Sequence, residues 1–261
     1  MPAQIIRGDY GVHQFASHLG LSRWQMRVGR EHGLLPGPDI DGERWSADLA
    51  DEVRGNGAQV IAMFGDEPPI GSARAAARLA SRVGLDVERR DVEMLVARGD
   101  LNVISSFRGY PVYLKRDLDR LDPDSVREVV SARKGPLIDT VDASGAAMIL
   151  DWPRKTFDRI SADRGLVTDR LGRYALSDIQ ALGVDENLTR QVLDEKRRLA
   201  LAKAQRSETK IEDVVRGWLL QCTAYVDRAV AQPPDTAALG RAIRTLVMAR
   251  AETERQQCAA P

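Results

Sequence analysis

The chain has 261 residues, 38 basic and 38 acidic side chains and a formal net charge of zero at pH 7; 43% of its residues are hydrophobic, 29% charged and 5% aromatic. That length allows two or more compact units, the balance is that of an ordinary soluble globular protein, and the scarcity of aromatics argues against a large sandwich core and against a base-stacking platform for single strands. No run of about 18 apolar residues suggests a membrane span, and the start "MPAQIIRGDYG" lacks the basic-then-apolar order of a signal peptide, so a cytoplasmic location is expected.

Cysteines Cys222 and Cys258 have no histidine cluster near them in sequence, and His13, His18 and His32 lack the spacing of a ligand set, so neither a metal site, a cofactor nor a disulfide framework is expected. Zero net charge removes the direct signal of phosphate binding, and any such claim rests on local charge placement.

In chain order, three stretches share one succession of features: a short apolar helix, a turn, a polar helix closed by Gly, a hairpin, and another short helix. The first occupies 1–56, an apolar and Pro-Pro connector 57–71, the second 72–134 and the third 135–183. Fixed repetition guides architecture better than any single motif. "HGLLP", "RGDLNVI" and "RGLVTD" each place Gly at the end of the second helix, where a left-handed residue is favoured. An aromatic follows each hairpin: Trp45, Tyr113 and Tyr174. "VISSFRGYPVYL" alternates like two short strands around Arg108-Gly109, and "TDRLGRYAL" turns at Leu171-Gly172. From 184 to 261 the texture becomes helical: "ENLTRQVLDEKRRLALAKAQ", "KIEDVVRGWLLQCTAYVDRAVA", a break at Pro233-Pro234, and "TAALGRAIRTLVMARAETERQQ". Three helices in a hairpin or bundle are expected there, with Val215, Trp218, Leu219, Tyr225 and Leu246 as the apolar residues of an oligomerisation surface.

In "LGLSRWQMRVGREHGLLP", Leu21 and Met26 read as inward-facing, Ser22 as the cap, and Ser22, Arg23, Gln25 and Arg27 as outward-facing. Arg suits guanine O6 and N7, and Gln suits adenine N6 and N7, so these side chains fit base reading from the second helix of a helix-turn-helix. Trp24 falls where a groove wall or a neighbouring hairpin would stand.

Followed by "DGERWSADLADEV", this stretch resembles the winged helix-turn-helix of MerR-type and phage-excisionase proteins over about 40 residues. The resemblance extends to "LDVERRDVEMLVARGDL" and "LDWPRKTFDRISADRGLV". It implies base reading by Arg23, Gln25 and Arg27 and by Arg154, Lys155 and Arg159, with Arg89 and Arg90 as the DNA-binding residues of the second stretch. It implies phosphate contacts from the wings through Arg44, Arg108, Lys115, Arg170 and Arg173. The second stretch departs from the pattern, because Glu88, Asp91 and Glu93 share its outward positions; contact with DNA through its hairpin alone, or a role as a packing module that spaces the other two, are the alternatives for it. The tail "DEKRRLALAKAQRSETKIEDVVRGWLLQCTAYVDRAVAQPP" also resembles the segment after the winged helix in the small subunit of lambda-type phage terminases.

The expected fold is mainly α with short β-hairpin wings, as three tandem winged helix-turn-helix domains and a C-terminal helical region. No Walker, dinucleotide-binding or nucleophile-elbow motif is present, so an enzyme is not expected. The expected function is sequence-specific binding of double-stranded DNA, as a transcriptional regulator or organiser of a DNA site, by a homodimer or higher oligomer without a membrane partner. The alternatives are a phage or mobile-element packaging or excision factor, and a protein-interaction scaffold that binds no DNA.

Overall fold

The computed structural model describes residues 8–258. The chain is mainly helical with a few short antiparallel strand pairs, and one order of elements recurs three times along it. The first repeat runs β1 (Asp9–Tyr10), α1 (Val12–His18), α2 (Arg23–Glu31), β2 (Trp45–Ser46), α3 (Ala47–Glu52) and α4 (Asn56–Phe64). The second runs β3 (Ile70–Gly71), α5 (Ser72–Val83), α6 (Arg89–Ala97), β4 (Ser105–Phe107), β5 (Tyr110–Tyr113), α7 (Lys115–Arg120) and α8 (Pro123–Lys134). After a 3-10 turn at Gly135–Leu137, the third runs β6 (Thr140–Val141), α9 (Ala143–Ile149), α10 (Arg154–Asp163), β7 (Tyr174–Ala175), α11 (Leu176–Val184) and α12 (Glu186–Val226); α13 (Thr236–Cys258) closes the chain. In each repeat the strand before the first helix pairs antiparallel with the strand that returns from the hairpin: Tyr10 opposite Trp45, Ile70 opposite Tyr113, Val141 opposite Tyr174.

The turns repeat for a physical reason. Each first helix ends in a left-handed residue, Gly20, Gly84 or Asp151, and each second helix in Gly33, Gly99 or Gly165. After the second helices the same pair of bonds satisfies the orphan carbonyls. Gly33, Gly99 and Gly165 donate to Arg30, Val96 and Ala162, while Leu34, Asp100 and Leu166 donate to Gly29, Leu95 and Ser161. This is a Schellman closure, which favours Gly because other residues strain at positive φ.

Two compact units form. The first holds the described chain up to Asp151 together with Val167–Leu176; the second holds Trp152–Leu166 and the chain from Ser177 onward. In the first unit, Phe15 stacks on Trp45 at 4.7 Å, within a core that includes Met26, Val28, Leu35, Val60 and Phe64. Leu114 and Ile104 of the second repeat pack against that core. Helix α5 packs on α6, α7, α8 and α9; its buried face is Ala75, Ala76, Leu79 and Ala80, small enough for close helix approach.

The structure corrects three expectations. Residues 57–71 are not a linker. Most of α4 lies there, burying Val60 and Phe64, and β3 begins the next repeat's sheet. Gly57 shows how tightly α4 docks: a Cβ there would lie 2.3 Å from the Leu19 carbonyl oxygen. The segment 135–183 is not one domain, because β6, α9 and β7 belong to the first unit, while α10 and nearly all of α11 belong to the second. The first two helices expected in the tail are one, the 41-residue α12, which pairs with α13 as a helical hairpin. Partly or fully buried positions recur at alternating spacings of three and four along the seam: Ala204, Glu208, Ile211, Val215, Trp218 and Cys222 on α12, Leu239, Ala242, Leu246, Ala249 and Thr253 on α13. Arg250 ties the seam's far end to Glu212 at 2.8 Å and holds that carboxyl below the usual carboxylate range. No helix of the described residues is long and apolar enough to cross a membrane.

A buried ion pair joins the second repeat to the β6–α9 segment. Lys134 Nζ lies 3.0 Å from Asp86 Oδ2, both residues being 8% exposed or less, and also donates to the Thr140 carbonyl. Removing one partner from such a pair leaves an uncompensated charge. Asp86→Ala is expected to lower unfolding free energy by about 3–5 kcal/mol. The double variant Asp86→Leu/Lys134→Met is expected to cost much less. Urea unfolding of the three proteins checks this, and equal losses in single and double variants would remove the pair's role.

Candidate nucleic-acid interface

Helix α2 begins at a reciprocal cap. Ser22 N–H donates to Gln25 Oε1 at 2.9 Å, and the Ser22 hydroxyl accepts from Gln25 N–H. Gln25 Nε2 also donates to the Gly65 carbonyl at 2.7 Å. Gln25 is therefore 4% exposed, and the expectation that it faces outward is corrected: its amide is used in fastening α2 to the end of α4. Met26, Val28 and Gly29 bury the inner face, which leaves Arg23, Arg27 and Arg30 at a spacing of four and three on the outer one.

A hairpin from the next repeat lies against this outer face. Strands β4 and β5 are joined by Arg108 and Gly109, both left-handed at φ 52° and 80°. Two consecutive positive φ values form the type I′ connection whose twist suits a two-residue hairpin. Phe107 and Tyr110 face each other at its mouth, 54% and 61% exposed. Three contacts hold the hairpin to α2. His32 Nε2 donates to the Ile104 carbonyl at 2.8 Å, the Ser105 hydroxyl donates to Glu31, and the Arg27 guanidinium sits 5.7 Å from the Phe107 ring centre.

Two adjoining grooves result, about 1110 Å³ and 640 Å³ in volume, sharing Trp24, Arg27, Phe107 and Arg108 as walls. Six arginines line them, Arg23, Arg27, Arg30, Arg74, Arg89 and Arg108, against one carboxylate, Glu31. Arg27 pairs with Glu31 at 3.7 Å and Arg89 with Glu93 at 2.9 Å. Among the described residues, Arg23, Arg30, Arg74 and Arg108 have no carboxylate partner. Arg108 stacks over Phe107 at 5.4 Å and Arg89 over Tyr110 at 5.7 Å. The surface presents guanidinium groups laid on aromatic rings, suited to phosphates and to flat, polar-edged partners.

Of the residues expected at the site, Arg23, Arg27, Arg89 and Arg108 come together here, while Ser22 is engaged with Gln25 as the cap of α2. The others are engaged or lie elsewhere. Arg44 is bound to Asp9 at 2.6 Å, Lys115 to Glu67 at 3.4 Å and Arg90 to Glu88 at 3.0 Å. Arg173 donates to the Thr140 hydroxyl at 2.9 Å and sits 3.7 Å from Asp86, which makes it a fastening of β6 to β7. Arg170 is exposed at the turn before β7. In the second unit Arg154 pairs with Asp158 at 2.8 Å and Arg159 with Glu195 at 2.9 Å, while Lys155 is exposed. Asp91, expected to face outward, is 1% exposed and receives Arg133 Nε at 2.7 Å. Sequence reading missed Arg30, Arg74, Phe107 and Tyr110; the placement of Phe107 and Tyr110 on either side of the Arg108-Gly109 turn was the available signal for the last two. Of the oligomerisation residues, Leu219 and Tyr225 are exposed, while Val215, Trp218 and Leu246 are partly buried along the hairpin seam. Trp218 Nε1 donates to the Asp235 carbonyl at 2.9 Å.

Comparison with protein-family models, with curated proteins and with solved structures finds no match to this chain. The likeness to MerR-type and excisionase proteins therefore rests on the quoted motifs alone.

Gln25→Ala removes the cap partner and strands the Gly65 carbonyl. It is expected to lower stability by about 1–3 kcal/mol, visible as a fall in thermal midpoint. A midpoint equal to that of the parent would mean that Gln25 does not hold α2 in place.

Proposed function

We propose that this chain is a non-enzymatic, sequence-specific double-stranded-DNA-binding protein built on tandem winged helix-turn-helix repeats, acting as a transcriptional regulator or organiser of a DNA site. One observation carries the reading. In a chain whose charges cancel, six arginines and exposed aromatic rings converge where α2, the second helix of the first repeat, meets a hairpin, with a single carboxylate among them. A helix of about 10–12 Å diameter fits the major groove, whose width is about 12 Å. Arg23 and Arg27, on the first turns of α2, occupy the part of the helix that meets base edges in this mode. Neutrality elsewhere is compatible with binding, because phosphate neutralisation depends on charges at the contact.

The test is binding of the full chain to fragmented genomic duplex DNA across a salt series, with sequencing of what is retained. One enriched motif is expected, with affinity falling as salt rises. Arg23→Ala/Arg27→Ala is expected to weaken binding to that motif by about 2–6 kcal/mol, at about 1–3 per base contact. Failure to retain DNA at low salt, or equal binding by the double variant, defeats the reading and leaves the groove to an acidic protein partner.

The reading includes self-association through the tail hairpin. Leu219, Leu220, Tyr225 and Val226 at the end of α12, and Ile243, Val247 and Met248 on α13, are large apolar side chains exposed outside the hairpin seam. Exposed apolar groups gathered near one end of an element mark an interaction surface. Light scattering is expected to give at least twice the 28.8 kDa chain mass, and Leu220→Lys/Val247→Lys to return it to one chain. A single-chain mass for the parent at every concentration tested would exclude this assembly.

A further inference from the structure

We infer that duplex DNA is read by one composite head, formed by α2 of the first repeat and hairpin β4–β5 of the second, and that α6 reads no bases although it holds the reading position of its own repeat. The inference rests on the DNA-binding reading above and adds which surfaces touch DNA.

The first repeat lacks a basic wing of its own. Its hairpin, closed by the Ile40–Arg44 bridge, carries Asp39, Asp41 and Glu43, and its Arg44 is bound to Asp9 at 2.6 Å. Carboxylates there repel phosphate. The hairpin that does lie along α2 comes from the second repeat, held by His32, Ser105 and the Arg27–Phe107 stack. Its tip presents Arg108 in a left-handed conformation, a placement that costs an arginine on the order of 1–2 kcal/mol relative to Gly. Such strain at an exposed tip points to a contact made there.

Helix α6 is built differently. Its first turn is committed to ion pairs: Arg89 with Glu93, Arg90 with Glu88, and buried Asp91 with Arg133. Arg133 also reaches Glu88 at 2.7 Å, so the N-terminus of α6 is locked to α8. Only Arg89 turns toward the groove, over Tyr110. By contrast, α2 offers Arg23 without a carboxylate partner and has no acid before Glu31.

The experiment selects duplexes from a random pool with the parent and with Arg108→Asn, Arg27→Gln and Arg90→Ala. Asparagine followed by Gly suits the type I′ turn, so Arg108→Asn removes the guanidinium without loss of thermal stability. Its affinity is expected to fall about 5- to 150-fold, the equivalent of one base contact. Arg27→Gln is expected to change preference at base positions adjoining those that Arg108→Asn changes. Arg90→Ala is expected to select the parent's motif with affinity within roughly twofold, as for a surface ion pair. A changed motif for Arg90→Ala, parent-like binding by Arg108→Asn, or separated positions for Arg27 and Arg108 would each overturn the composite head while leaving DNA binding intact. A parent that retains no duplex removes the DNA-binding reading and this inference with it.

Discussion

The buried pair of Asp86 and Lys134 is the constraint on which the larger unit depends. Lys134 is the last residue of α8, and its ammonium reaches back to the turn before α6 and across to the Thr140 carbonyl at the start of β6. Arg133 beside it donates to the Asp86 carbonyl, to Glu88 and to Asp91, while Arg173 next to β7 approaches Asp86 from another side. Burial works against the charge on Arg133, but the Asp91 hydrogen bond and the Glu88 and Asp86 carboxylates outweigh it and hold its pKa above the ordinary value. Such a cluster is a poor source of net stability, since desolvation offsets attraction. What it supplies is register: α8, the α5–α6 turn, β6 and β7 satisfy these charges only when each is in place. Gly145 on α9 is part of the same arrangement, because a Cβ there would stand 2.4 Å from Asp86 Oδ1.

The room for Asp86 comes from a difference between repeats. From the left-handed residue that ends the first helix to the cap of the second, the first and third repeats need two steps, Gly20 to Ser22 and Asp151 to Pro153. The second repeat needs four, Gly84 to Glu88, and the additional chain contains Asp86. Val87, also in this turn, is fully buried, so the longer turn is drawn inward as packing. The longer turn thereby makes the α5–α6 connection a joint between neighbours.

Much of this was legible in the chain. Gly33, Gly99 and Gly165 announced the ends of three helices, because a Schellman closure leaves few other choices, and Arg108-Gly109 between alternating residues announced the hairpin. The capping box Ser22-Arg23-Trp24-Gln25 was equally visible as Ser followed three residues later by Gln, which ties the Gln25 side chain to the cap; its burial comes from the distant Gly65 carbonyl. Other features were not local. The apolar run from Val60 to Phe64 looks like a connector until Phe15, Met26 and Trp45 supply the core that it completes. The tail seemed to divide at the polar stretch "RSET", yet no Gly or Pro lies between Glu186 and Arg216, so nothing stops α12. The contact of α2 with a hairpin some 75 residues away has no sequence signature, since Glu31, His32, Ile104 and Ser105 are individually unremarkable.

Charge sorting follows from these packing choices. Equal numbers of acids and bases cancel in the net charge, but they need not cancel locally. In the second repeat the joint draws in acids, and they draw in bases: Asp86 takes Lys134, and Asp91 with Glu88 takes Arg133. In the first repeat the corresponding cap is neutral, Ser22 with Gln25, and needs no cation. Arg23 and Arg30 are thus left facing solvent, and Arg108 is held beside them by a hairpin whose anchors, Glu31 and His32, lie past the basic face of α2. A uniformly basic chain would bind any polyanion over much of its surface. Here acids at the joint of the second repeat are taken up by Lys134 and Arg133, while in the grooves beside α2 six arginines face one carboxylate.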